Sequence, residues 1–333
     1  MGFMSDSSRP KRIGITLGDP AGIGPELALR VASEWCRGQE AKLFLIGDHG
    51  LLERVGRAIG LEVPPNVTAE DMAETSLEVA TVSIDEPMRE DVVPGHWSAG
   101  TGAASYRWVK FAIESAQSGL LDAIVTGPIQ KEAWHSAGIT YPGHTEMLAE
   151  MTGTNDYRMM LTSPEISCVL VTIHVPLADV ASALTSDEVY RSIKLAAASL
   201  SRSLKRPARV AVCGLNPHAG ENGLFSHFEE ERIIAPAIQR ARDEGFLVNG
   251  PLSPDTAFVP AQRAQTDVYV CMYHDQGLIP LKALSFDDAV NVTLGLPIVR
   301  TSVDHGTAMD IAWRGVASDK SLRAAIDMAI GLT

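Results

Sequence analysis

The sequence predicts an α/β protein with a largely parallel sheet. Short apolar runs rich in β-branched residues alternate with amphipathic segments along almost the whole chain. Several runs end in polar residues, as strands do where ligands bind beyond the carboxyl ends of a parallel sheet. The 333 residues suffice for one large or two ordinary domains with real cores.

The predicted elements follow one another in a regular order. Strand patterns cover residues 12–17, 42–46, 79–84, 122–125, 158–161, 168–174, 210–215, 268–273 and 290–294. Helix patterns cover residues 25–36, 51–59, 98–118, 145–151, 186–203, 229–244, 307–314 and 318–330. No internal repeat or low-complexity linker interrupts them, so two domains would share extensive contacts.

Composition excludes several classes of function. The formal net charge is −13 and no Lys/Arg cluster is present, so we expect no nucleic-acid partner. Apolar runs are too short to span a membrane, and residues 1–10 form a polar segment that we expect to be a disordered tail. A cytoplasmic protein is expected. Four cysteines without C-x-x-C spacing indicate reduced thiols; they are Cys36, Cys168, Cys213 and Cys271.

Three apolar runs end in or just before a histidine. The run at 268–273 leads into His274, the run at 168–173 into His174, and the run at 209–215 into His218 after a short turn. Histidines at neighbouring strand ends indicate convergence on one point, where three imidazoles would suit Zn²⁺, Co²⁺ or Ni²⁺. The alternative is three unrelated polar loop residues.

Other stretches indicate anion binding less specifically. His144 and Thr145 open a helix after a polar turn, where they could contact a ligand or Thr145 could merely cap the helix. Arg300 ends an apolar run, which suits either a bound phosphate or an internal salt bridge. The glycine-rich turn at residues 18–26 and the helix expected to open after His305 offer backbone N–H groups to an anion.

Seven motifs together make the pattern specific. They run in order from residue 15 to residue 315: ITLGDPAGIGPE, VTGPIQKEAW, YPGHTE, IHVPL, LNPHAGENG, MYHDQGLIPLK and NVTLGLPIVRTSVDHGTAMDIAWRG. This set resembles the 4-hydroxythreonine-4-phosphate dehydrogenase family of pyridoxal phosphate biosynthesis, within the isocitrate/isopropylmalate dehydrogenase-like superfamily. The resemblance implies a two-domain α/β fold with a central cleft. We expect residues 11–135 and 290–333 to form the cofactor-side domain, and residues 136–289 the domain that dimerises and binds metal.

The resemblance also implies a metal centre shared across a homodimer. Its ligands would be His174 and His218 of one chain and His274 of the second, around a divalent ion: zinc first, then cobalt, nickel, manganese or magnesium. It further implies contacts to a phosphorylated substrate through His144, Thr145, Lys282, Asn291 and Arg300. It places NAD or NADP against His305, Gly306, Thr307, Ala308 and Asp310. Lys282, Asp275 and Asp255 are the candidate catalytic residues.

The implied reaction is NAD(P)-linked oxidation of the secondary hydroxyl of 4-phosphooxy-L-threonine, a metal-dependent step. The β-keto acid formed would decarboxylate to 3-amino-2-oxopropyl phosphate. Ala289 stands where the family commonly has glycine, so D-threonate or D-erythronate 4-phosphate, or a dihydrodiol dicarboxylate, is an alternative substrate. From other classes, a metal-dependent hydrolase, an acyl-phosphate transferase and a non-catalytic binding protein stay open.

Overall fold

A computed structural model describes residues 9–84, 88 and 92–333. Residues 1–8 of the expected tail lie outside this range. Within it, strands and helices alternate along the chain, which confirms the α/β prediction. None of the helices in the described ranges is both long and apolar enough to cross a lipid bilayer.

The strands and helices occur in the following order. The strands are β1 (Lys11–Thr16), β2 (Ala41–Ile46), β3 (Asn66–Val67), β4 (Val79–Val82), β5 (Ala123–Thr126), β6 (Arg158–Thr162), β7 (Ser167–Leu170), β8 (Arg209–Cys213), β9 (Leu247–Leu252), β10 (Val268–Cys271), β11 (Val290–Leu294) and β12 (Val299–Val303). The helices are α1 (Gly24–Ser33), α2 (His49–Ile59), α3 (Ala99–Gln117), α4 (Lys131–Ser136), α5 (His144–Thr152), α6 (Val180–Ala183), α7 (Ser186–Leu204), α8 (Ala235–Asp243), α9 (Pro260–Arg263), α10 (His274–Leu284) and α11 (Lys320–Leu332).

One compact unit, called unit 1 here, comprises the described residues up to Asn155 together with Leu296–Gly331. Its strands lie in the order β3-β4-β2-β1-β5-β12, and the pairs are parallel. Buried aliphatic and aromatic side chains from the strands and α3 fill its core, among them Ile13, Phe44 and Trp108. This unit carries Arg300 on β12 and His144 at the first position of α5.

Unit 2 comprises Asp156–Gly295. Its strands lie in the order β11-β6-β7-β10-β8-β9; β6 is antiparallel to both neighbours, and the other pairs are parallel. The units divide after Asn155 and Gly295, whereas the sequence-based domain boundaries fall after residues 135 and 289. The later boundaries arise because α5 packs with α3 and because β11 pairs with β6.

Three cysteines lie in the core of unit 2. Cys168, Cys213 and Cys271 are buried and free, while Cys36 is exposed and free. A Cβ placed on Gly277 would lie 3.0 Å from Cys271 Sγ and 3.1 Å from Cys168 Cβ. The close approach of α10 to β7 and β10 therefore depends on a residue without a side chain.

Two local predictions are wrong. The segment after Tyr273, where no helix is predicted, forms the helix α10. Residues 307–314 do not form a helix; they contain only a 3-10 turn at Met309–Ile311. The reason is the backbone at Ala308 and Trp313, which have φ values of 40° and 61°, in a region that a right-handed helix does not use.

Candidate functional site

The predicted metal ligands follow three adjacent strands of unit 2. Strands β7, β10 and β8 are neighbours and run parallel, so their carboxyl ends lie at one edge. His174 follows β7, His274 is the first residue of α10 directly after β10, and His218 follows β8 in a 3-10 turn. The edge is where an α/β sheet presents ligand-binding residues.

His174 and His274 lie side by side in one chain. Their ring centroids are 5.8 Å apart and the ring planes are tilted by 39°. His274 Nδ1 hydrogen-bonds with Asp275 Oδ1 at 2.7 Å, so Nε2 is the nitrogen left for another partner. A carboxylate behind an imidazole is a common arrangement in metal sites, because it fixes the ring and its tautomer.

His218 lies apart from this pair. Its ring contacts Phe225, with centroids 5.8 Å apart. It also interacts with Asp255, whose pKa is lowered first by the Ser253 hydroxyl and to a smaller extent by His218. Across residues 9–84, 88 and 92–333, no three His, Cys, Asp or Glu side chains lie close enough to hold a metal ion. One chain thus brings together two of the three predicted ligands.

The turn that carries His218 has an unusual backbone. Residues 218–223 all have φ between +44° and +87°, and four of them are not glycine. Left-handed conformations cost non-glycine residues free energy, so the surroundings must impose this turn. Buried Glu230 does so in part: its Oε1 accepts the N–H groups of Leu215 and Asn216 at 2.9 and 2.7 Å.

Hydrogen bonds from two buried side chains also connect the ends of these three strands. Gln276, buried in the first turn of α10, accepts the N–H of Met272 at 2.6 Å and donates to the carbonyl of Gly214 at 2.7 Å. Thr172 donates its hydroxyl to the carbonyl of Met272 at 2.8 Å. These bonds tie the ends of β8 and β7 to the end of β10, directly before the three histidines.

The His174–His274 pair suits a divalent metal, and it supplies two of the three predicted ligands. Two adjacent imidazoles, one held by a carboxylate, are donors that Zn²⁺, Co²⁺ and Ni²⁺ accept readily. Both rings reach the surface: His174 is exposed and the His274 side chain is 36% exposed. Among the described residues of the same chain no third protein ligand joins the pair, so a complete site needs a further donor.

The other predicted residues of unit 2 have less defined roles. Lys282 lies on α10 with its ammonium 5.8 Å from the centroid of the Phe286 ring. Asn291 lies in β11, paired with Leu161 of β6, and is half-buried. Asp255 is exposed in the loop after β9, beside the His218 turn.

Unit 1 contains a buried cationic cluster around Arg300. The guanidinium donates from Nε and Nη2 to Thr126 Oγ1 at 3.2 and 2.7 Å, and the residue is only 3% exposed. Burial lowers its pKa to about 10, against a smaller raising effect from Glu146. Arg300 is therefore a buried cation that donates two hydrogen bonds to the hydroxyl of Thr126.

His144 adds a neutral polar group to this cluster. Burial lowers its pKa well below the usual value, and the positive charges of Arg300 and Lys131 lower it further. Its Nε2 is buried without a hydrogen-bond partner, and its ring contacts the edge of Trp134 at a centroid distance of 5.7 Å. A buried nitrogen without a partner next to a buried cation suits a bound anion. Thr145, the next residue, is half-buried.

The segment expected to hold the cofactor is an ordered loop. Thr307 donates its hydroxyl to Gln130 Oε1 at 3.0 Å, and its carbonyl accepts the N–H of Ile23 at 3.0 Å. His305 Nδ1 lies 3.0 Å from the carbonyl of Gly306, while its Nε2 is buried without a partner. Asp310 is exposed. The loop therefore packs on the glycine-rich turn of residues 18–24 and retains a buried nitrogen that a ligand could satisfy.

Sequence reasoning missed several residues that shape these clusters. Asp19 is fully buried, and burial raises its pKa to about 6 despite hydrogen bonds from the Ala21 N–H and the Thr101 hydroxyl. Thr126, Glu230 and Gln276 were also missed. Asp19 and Gln276 lie inside motifs that the sequence displays, but only the fold reveals what they contact.

The chain is similar to known proteins of one family over nearly its whole length. The family model described as "Pyridoxal phosphate biosynthetic protein PdxA" matches residues 39–329. The chain is 48% identical to a 4-hydroxythreonine-4-phosphate dehydrogenase of Desulfosudis oleivorans, over 96% of this chain and 95% of that one. It is 45% identical to a D-threonate 4-phosphate dehydrogenase of Salmonella typhimurium, over 97% and 99%. The crystal structure of a 4-hydroxythreonine-4-phosphate dehydrogenase from Klebsiella pneumoniae matches with a TM-score of 0.88 at 40% identity, over 98% and 99%.

Proposed function

Since the chain belongs to the pyridoxal phosphate biosynthetic protein PdxA family, we propose that it oxidises the secondary hydroxyl of a 4-phosphorylated hydroxy acid, with NAD or NADP as hydride acceptor. The first candidate substrate is 4-phosphooxy-L-threonine, and D-threonate 4-phosphate is the second, because relatives carry both activities in their names. From the first substrate, the β-keto acid would lose carbon dioxide to give 3-amino-2-oxopropyl phosphate.

The observation that carries the proposal is the Arg300–His144 cluster. A buried guanidinium supplies positive charge, and a neutral buried imidazole with no partner on Nε2 supplies a further hydrogen bond. A phosphate group has the charge and the several oxygens to use both. Thr145 would contact the same group from the N-terminal turn of α5. Holding the phosphate here fixes the orientation of the substrate.

The reaction needs a proton acceptor and a hydride acceptor. When bound, a divalent cation would lower the pKa of the substrate hydroxyl, and nicotinamide would take the hydride. Asp275 already hydrogen-bonds with His274, which favours an orienting role for it. Lys282 is our first candidate for a polar catalytic role beside the reacting oxygen, and Asp275 is the second; the carboxylate of Asp275 or Asp255 can accept the hydroxyl proton. The loop that contains His305, Gly306, Thr307, Ala308 and Asp310 is proposed to hold the dinucleotide, with Nε2 of His305 as one contact.

We propose that two copies of the chain complete each metal site. Exposed apolar side chains near the carboxyl ends of β7, β10 and β8 would be covered by the second copy; they are Leu224, Phe225, Phe228, Ile279 and Phe286. The closeness of His174 and His274 supports a revised division of ligands. These two would come from one chain, and His218 of the second chain would be the third ligand.

We also propose a cytoplasmic location, which the four free cysteines support.

One assay tests the proposal. The purified protein is mixed with 4-phosphooxy-L-threonine, D-threonate 4-phosphate or D-erythronate 4-phosphate and with NAD or NADP, and the absorbance of the reduced nicotinamide is followed. Turnover should occur with at least one phosphorylated substrate and stop when a chelator removes divalent metal. Far-UV circular dichroism should barely change on chelation, because the buried core of unit 2 contains no metal ligand. Absence of turnover with every substrate would contradict the proposal.

A further inference from the structure

Gln276 connects two strand ends that carry different metal ligands. Its Nε2 donates to the carbonyl of Gly214 at 2.7 Å, one residue beyond β8. Its Oε1 accepts the N–H of Met272 at 2.6 Å, one residue beyond β10. The residue is only 7% exposed, so water does not compete effectively for either bond.

From this geometry we infer that Gln276 is a positioning residue, which fixes the strand end leading to His218 relative to the strand end leading to His274. The inference rests on the proposed metal-dependent function. Gln276 itself touches no ligand in this role; it acts through the backbone before each histidine. In the proposed dimer, His218 and His274 of one chain serve different metal sites, so Gln276 sets the spacing of the two turns that each chain contributes. Residues behind the ligands commonly change metal affinity by about 10- to 100-fold when they are replaced.

A local role for Gln276 would explain only half of its contacts. A glutamine at the third position of a helix often accepts a backbone N–H from just before the helix, which caps the helix start. The bond from Met272 fits this role. The bond to Gly214 does not, since Gly214 is 62 residues away and belongs to another strand. The second bond is the one that relates the two ligand-bearing turns.

The position of the His218 turn is sensitive to loss of the hydrogen bonds that Gln276 makes. Beyond Gly214, the chain enters the left-handed turn of residues 218–223, which depends on external bonds for its shape. Glu230 holds the start of that turn through Leu215 and Asn216. Gln276 therefore holds Gly214, and Glu230 holds the two residues that follow it. Without the bond from Gln276, the His218 turn is fixed at one side only.

The test measures metal binding directly on the full-length protein. Wild type and Gln276→Met are titrated with Co²⁺ in competition with a chromophoric chelator, and the visible spectrum of the bound Co²⁺ is recorded. We expect a 10- to 100-fold rise in the dissociation constant and a changed spectrum, with native circular dichroism. Gln276→Glu, measured at pH 8, keeps an oxygen for the Met272 N–H but no donor for Gly214, and it should also weaken binding.

A matched control separates positioning from general destabilisation. Ser167→Ala removes a buried hydrogen bond in the same unit, between Ser167 and Thr162 at 2.7 Å, away from the histidine edge. It should lower the melting temperature and leave the Co²⁺ affinity unchanged. If wild type binds Co²⁺ and Gln276→Met binds it within twofold of wild type, the inference is wrong and the proposed function stands. If wild type itself binds no divalent metal, the proposed function fails first.

Discussion

The imidazole rings of His174 and His274 lie 5.8 Å apart, centroid to centroid, within one chain. His218 does not join them, although its strand lies beside that of His274. In the part of the chain that the structure describes, no third His, Cys, Asp or Glu completes a metal-binding group with them. A shared site should therefore take its pair from one subunit and His218 from the other, which differs from the division that the family resemblance implied.

Mixed dimers can test this division. Each of the changes His174→Ala, His218→Ala and His274→Ala should inactivate the homodimer. A mixed dimer of His174→Ala and His218→Ala chains has one site with both lesions and one site with none. Random exchange makes about half of the dimers mixed, so about a quarter of all sites should recover. Activity is measured after co-expression with two tags and sequential affinity purification, which retains the mixed dimers and so raises the expected recovery to about half of the sites.

The companion mixture makes the test decisive. His174→Ala mixed with His274→Ala should recover nothing, because each site takes both residues from one chain and every chain carries a lesion. The opposite pattern, with recovery only in this second mixture, would restore the division in which His274 comes from the second subunit. Recovery in neither mixture, in verified mixed dimers, would place all three ligands in one chain.

Arg300→Lys should weaken substrate binding much more than cofactor binding. Lysine keeps the charge but loses the planar fork that now donates twice to Thr126. We expect a loss of about 2 kcal/mol in substrate binding, which is roughly a 30-fold rise in KM for the phosphorylated substrate. Arg158→Lys is the matched control, since Arg158 is also a buried arginine but binds Ser192 and Glu188 in unit 2. An equal KM effect in both variants would argue against a phosphate contact.

Gly220→Ala should distort the His218 turn. A Cβ at Gly220 would lie 2.5 Å from Glu230 Oε2, and φ is +79°. Gly245→Ala provides the control, because Gly245 has φ of +89° but nothing within 4 Å of the added Cβ. Both variants should lose about 1 kcal/mol of unfolding free energy from backbone strain. Only Gly220→Ala should lose more than this and bind Co²⁺ more weakly in the same titration. Equal losses would show that the contact with Glu230 adapts freely.

The buried carboxyl of Asp19 should make stability depend on pH. Its pKa rises from 3.8 to about 6 on folding, first because of burial. Between these values the folded protein holds more protons than the unfolded chain, so stability falls as pH rises through this window. The change should approach roughly 3 kcal/mol. Urea unfolding of wild type and Asp19→Asn between pH 4 and pH 7 measures it, and the wild-type deficit should grow up to about pH 6 and then level off. A constant difference across this range would show that Asp19 does not titrate there.

Local patterns predicted the strands well but not every helix. The apolar runs before His174 and His274 are indeed strands, although each ends at least two residues before its histidine. Helix α10 was missed because Gly277 and Pro280 inside it favour turns. Burial of Leu278 and Leu281 against the core overrides those local preferences. Conversely, residues 307–314 have a helical pattern, yet Trp313 is held by a hydrogen bond to the carbonyl of Pro20, far away in sequence.

The contacts within the candidate site depended on strand register, which the sequence does not display. Arg300 was expected to bind either an anion or an acidic residue. It donates to Thr126, which is brought close by the parallel pairing of β12 with β5, where Arg300 is opposite Ile124. Similarly, the buried position of Asp19 follows from the packing of α3, whose Thr101 donates to it. Residue types at strand ends could be predicted, but their partners could not.

The cysteines of the two units differ in how readily a thiol reagent can reach them. Cys36 of unit 1 is the accessible cysteine, whereas the three cysteines of unit 2 are buried. The pKa values of Cys213 and Cys271 are raised, first by hydrogen bonds among the sulfhydryl groups and then by burial, which suppresses the reactive thiolate. A maleimide dye should therefore label the native protein at one position without any engineering. Slow alkylation of the remaining thiols would then report transient opening of unit 2 alone, residue by residue in a mass spectrum.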